Sequence, residues 1–186
     1  MRTGTILAFS ACAMFGAAAL TPGGQVTGTA RPALEQLVPP GFTLAQVTNM
    51  GPMHGFTATR PSENCSNPNA GQQIELQGGW TEYATPVAAK MAETLAAAPE
   101  APAESVAGRY DEPLGKESYR GGSLVWRTTT VPMISMEGGP LIEVSGRWTA
   151  AAPGKLLGAS VAHFCGSKEA ARAVLAPVIE KLVAMK

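Results

Sequence analysis

The stretch that most constrains this fold is its last: KLLGASVAHFC, a GS pair, then KEAARAVLAPVIEKLVAM. Strand alternation points Leu157, Ala159, Val161, His163 and Cys165 one way, and Leu156, Gly158, Ser160, Ala162 and Phe164 the other. A strand with so little polar character on either face belongs in the middle of a sheet, covered on both sides. The next segment predicts a helix, with Ser167 as N-cap and Glu169 in the electropositive first turn. Its stripe of Ala171, Val174, Leu175, Val178, Leu182 and Met185 keeps helical spacing and needs a sheet to lie on.

The rest of the chain supplies that sheet. GFTLAQVT and FTATR read as strands around an NMGPMHGF turn, and QQIELQGGWTEYA as another strand with a bulge or bend at Gly78 and Gly79. Thr85 and Pro86 open a helix whose expected buried stripe is Val87, Met91, Leu95 and Ala98, ended by Pro99. ESYRGGSLVWRTTTV, PLIEVSGRWTA and the final strand follow one another through short connections, which argues an antiparallel meander. The fold class expected is α+β, an antiparallel sheet of about five strands with two main helices packed on one face. It forms a single domain over residues 32–186. A short segment, RPALEQLV, contributes one or two helical turns ahead of it.

The N-terminus has signal-peptide order: Arg2, an uncharged apolar run, then a break at TPGGQ. Ala17 and Ala19 fit an A-x-A cleavage site, giving a signal peptide over 1–19 and a flexible tether over 20–31. Lipidation at Cys12 and an uncleaved anchor are the alternatives. An exported protein, periplasmic or secreted, is expected, touching a membrane only through an uncleaved leader or through a partner. Cleavage removes Cys12 and leaves Cys65 and Cys165, an isolated pair expected to form a disulfide in an oxidising compartment.

Composition excludes more chemistry than it suggests. Fourteen basic and fourteen acidic side chains are scattered singly, so the basic stripe of a nucleic-acid binder is missing. Asp111 is the only aspartate, and His54 and His163 are the only histidines, which starves carboxylate and zinc sites alike. Gly158-Ala159-Ser160-Val161-Ala162 approaches a nucleophile elbow, but the strand pattern runs on where an elbow must turn into a helix. His163 reads as a buried histidine on an apolar strand.

Two clusters remain as candidate sites. Met50, Met53 and His54 offer thioether and imidazole ligands suited to Cu(I), with Met133 and Met136 in a second turn; packing is the plainer use of these methionines. Trp126, Arg127, Glu143 and Arg147 are a candidate binding surface, with both arginines and the glutamate on the sheet face opposite Trp126 and Trp148. The function expected is a non-catalytic binding or accessory protein, without a resident cofactor, that engages an envelope protein partner or a small apolar ligand. A periplasmic copper-binding protein using Met50, Met53 and His54 is one alternative, and a small secreted hydrolase is another.

Overall fold

The computed structural model describes residues 30–62, 73–96, 110–131 and 141–185. They form one antiparallel sheet of seven strands and three helices. In chain order these are α1 (Ala30–Leu37), β1 (Thr43–Met50), β2 (Met53–Pro61), β3 (Gln73–Glu82), α2 (Pro86–Ala96), β4 (Tyr110–Tyr119), β5 (Gly122–Val131), β6 (Leu141–Ala152), β7 (Lys155–Phe164) and α3 (Lys168–Ala184). The strand order is β1-β2-β3-β7-β6-β5-β4, so the last strand is the middle one.

Seven strands replace the five expected, and the reason is local. ESYRGGSLVW reads as one strand, but Arg120 and Gly121 take left-handed φ angles of 49° and 75° and fold it into the β4–β5 hairpin. Two consecutive positive φ values are what a two-residue hairpin turn requires. β4 itself, YDEPLGKESY, is polar and holds Pro113, so it carries no strand-like hydrophobic pattern; it is an edge strand, where such residues are tolerated. Gly78 and Gly79 make no bulge, since the β2–β3–β7 register runs through them unbroken.

The core lies on one face. Phe56, Leu76, Trp126, Trp148, Ala159 and Val161 are buried there under α1 and α3, whose Leu34, Leu37, Leu175, Val178 and Leu182 complete the cluster. α3 starts as its sequence dictates, with the Ala170 amide donating to the Ser167 hydroxyl at 3.2 Å. Two ion pairs tie it to the β4 side of the sheet: Arg172 pairs with Glu117 on β4, and Glu180 with Arg120 in the β4–β5 turn.

α2 is placed differently from expectation. It lies along β6 and β7, strands already covered by α3 on the core face, and its fully buried Ala89 belongs to no part of the main core. α2 therefore covers the opposite face, and the helices do not share one side. The buried side is set by Ala89 and Glu93, with Lys90 donating to the Glu93 carboxylate, while Val87 and Met91 are 69% and 63% exposed. A sheet face bearing Ser160, Arg147 and Thr149 is met by small and polar residues, so the apolar stripe read from sequence points to solvent. Leu95 and Ala98, the rest of that stripe, lie outside the described side chains.

Cys165 follows β7 in a left-handed conformation (φ 55°), its amide donating to the Ile142 carbonyl at 2.8 Å, and it is disulfide-bonded. The partner expected for it, Cys65, lies outside the described residues, and the pairing with it. The leader and tether segments lie outside them as well. No described helix is long and apolar enough to cross a membrane.

The tightest packing joins β5 to β6. Trp126 sits directly beside Gly146 in the register, and a methyl group added at Gly146 would stand 2.5 Å from the indole ring. Gly146→Ala should therefore destabilise the fold by about 1–3 kcal/mol, the usual cost of overpacking a filled core. Denaturant unfolding checks this; a variant as stable as the parent would show that the indole is free to shift.

Candidate binding site on the half-covered sheet face

The α2 face of the sheet has two halves. α2 lies along β6 and β7, and no described helix packs on this face over β1, β2 and β3. Three in-register rows cross that shelf. The first is Gln46, Thr57, Gln77 and Ser160; the second is Thr48, Gly55, Gly79 and Gly158; the third is Met50, Met53, Thr81 and Leu156. Residues paired across strands share a face, so each row presents its side chains together. The middle row is glycine on three adjacent strands, which leaves a shallow depression lined by Gln77, Gly79, Thr81, Leu156 and Gly158. Gly79 has no substitute: a Cβ there would run into the backbone of His54 and Gly55. One wall of the depression is polar and the other is largely apolar.

The shelf brings together two of the three expected copper ligands. Met50 and Met53 face each other across the hairpin, whose turn is Gly51 and Pro52, with Gly51 at φ 56°. His54 is the next residue along β2, so alternation sends it to the other face. There it stacks on Trp80 with ring centroids 5.1 Å apart, and its Nε2 lies 3.8 Å from the Glu82 carboxylate. Among the described residues no group of three His, Cys, Asp or Glu side chains converges. Met133 and Met136 lie outside the described residues. Trp80 is the residue that sequence reasoning misses. It is buried, carries His54 on its ring, has Lys155 Nζ 5.7 Å from its centroid, and its indole Nε1 has no hydrogen-bond partner. A tryptophan opposite a histidine in neighbouring strands becomes visible only once the register is known.

The other expected surface divides between the two faces. Arg127, Glu143 and Arg147 occupy the α2 face, as alternation against the tryptophans requires. Trp126 is fully buried on the core face, where its Nε1 donates to Glu117 at 2.8 Å and Lys168 lies 5.6 Å from the ring. Glu143 is itself only 5% exposed, beside the buried Thr129. These four residues do not form one exposed surface. Ser160 lies in mid-strand, between Gln77 and Arg147, with no turn into a helix near it.

His163 is buried on the core face, in the row that runs from Arg60 through Ile74 to Val144, with Gly166 packed on its ring and Nδ1 unpartnered. Burial pushes its pKa below the ordinary 6.5, and the nearby Arg60 guanidinium pushes the same way. Comparison with known families, with curated proteins and with solved structures found no match.

The sign of the His163 effect on stability follows from its lowered pKa. The unfolded chain takes up a proton near the ordinary value while the folded chain resists it. This contribution is whole above pH 6.5 and is lost as the pH falls below it. Thermal unfolding followed from about pH 7.5 to about pH 5.5 should show a falling midpoint, and His163→Gln should flatten that slope. Equal slopes in the two proteins would contradict the assignment.

Proposed function

We propose that this chain is an exported, non-catalytic binding or accessory protein that holds a protein partner on the β1–β3 half of its α2 face. The observation that carries the reading is the uneven cover of one sheet. α2 occupies β6 and β7, while the adjoining shelf offers the Met50–Met53 pair, a glycine-floored depression and hydrogen-bonding side chains such as Thr57 and Gln77. Methionine is an adaptable contact residue and is enriched in interface cores. Reactive side chains are spent on structure: His163 is packed against Gly166, His54 is stacked on Trp80, and Ser160 is held in mid-strand. Two thioethers facing each other are two of the three ligands of the copper site expected, and on this reading they serve as apolar contacts.

Isolated under gentle conditions from its own host's envelope, the protein should carry a second subunit in fixed ratio. Met53→Lys, which places a charge in the methionine row of the shelf, should release that subunit while leaving the thermal midpoint unchanged. Retention by Met53→Lys, with loss on Met91→Lys instead, would move the contact to the outer side of α2 and refute the shelf.

A further inference from the structure

We propose that the edge of β1 that no described strand pairs with is a self-association surface, on which a second copy of this chain adds its own β1 antiparallel about a two-fold axis. The sheet ends in two strands, β1 and β4, and they are built differently. β4 carries the devices that keep an edge from pairing. Pro113 cannot donate a ladder hydrogen bond, the register shifts between Pro113 and Gly115, and Glu112, Lys116 and Glu117 are charged. β1, TLAQVTNM, has no charged residue and no proline. Its one irregularity lies between Leu44 and Gln46, and residues 46–50 continue in unbroken register with β2.

That run is short, uncharged and able to pair with itself. Centred on Thr48, an antiparallel match puts Thr48 opposite its own copy, Val47 opposite Asn49 and Gln46 opposite Met50. No like charges meet across such a seam, and the formal net charge of the whole chain is zero at pH 7, so approaching copies do not repel at long range. Val47 is half-buried at the rim of the core, and pairing would extend that cover. The alternative joining of copies, β1 of one onto β4 of the next, would propagate as an open fibre. Pro113 and the irregularity beside it block that route, which leaves the closed dimer. β1 also supplies Gln46, Thr48 and Met50 to the proposed shelf, so the two readings share a strand and are separated by their tests: Met53→Lys on β2 reads the shelf, and cross-linking of copies through β1 reads the seam.

The test is the mass of the full, oxidised chain by light scattering, from low micromolar to near-millimolar protein. A dimer is expected, and Thr48→Lys should weaken it at least about tenfold by setting two ammonium groups across the axis. Should that variant fold poorly, Thr48→Cys gives a second reading. Directly opposed residues of an antiparallel pair have Cα atoms about 4.5–5.5 Å apart, within disulfide reach, so the two introduced thiols should link the copies on oxidation. The same change at Lys116 on β4 should give no such link. A monomer throughout the range, a dimer indifferent to Thr48→Lys, or a chain of another protein seated on β1 in place of the second copy would overturn the proposal.

Discussion

Two tryptophan–glycine contacts between neighbouring strands set the form of this molecule. Trp126 of β5 lies against Gly146 of β6, and Trp148 of β6 lies against Gly122 of β5, so each strand gives up a side chain to seat the ring of the other. Both rings are fully buried, and both indole nitrogens are satisfied, by Glu117 and by the Tyr119 carbonyl. This reciprocity fixes the β5–β6 register, because a one-residue slip would put the two rings on opposite faces of the sheet. Everything on the core side follows from it. α3 reaches across β4 through Arg172 and Glu117, and Val178 comes down where Gly78 leaves room beside Phe56.

The same alternation decides what the opposite face can be. With most of the large apolar residues committed to α1 and α3, the other side of the sheet is dominated by Ser, Thr, Gln, Arg and Gly, with Met50, Met53 and Leu156 among its apolar exceptions. Such a surface does not call for an apolar helix, and α2 meets it with Ala89 and Glu93. Among the described residues a single helix of eleven residues lies over β6 and β7 on that side and none lies over β1 to β3, and it is this remainder that the function is read from. Binding on a shelf shaped by main-chain register needs no cofactor motif, which is why a chain poor in Asp and His can be fitted for it.

Much of the core half was legible in the residues. The apolar strand β7 is central, Ser167 caps α3, and Leu175, Val178 and Leu182 are buried, because each of these rests on local pattern or on a hydrogen bond a few residues long. What was not legible depends on partners distant in sequence. β4 has no hydrophobic period, since an edge strand is held by its ladder and not by its side chains. The outward turn of Val87 and Met91 depends on what the sheet presents, which no window of eleven residues contains. The methionine–histidine cluster looked like one site because Met53 and His54 are adjacent in sequence. In a strand, adjacency is what separates them.

The claim that function lies on the β1 side of the sheet is open to one direct measurement. Amide hydrogen exchange can be compared between the protein isolated from its own envelope fraction and the same chain purified alone and dilute. The account predicts added protection in residues 43–61, on β1 and β2, with α2 and β4 unchanged. Protection gained on β4 or on the outer side of α2, or none gained anywhere, would contradict it.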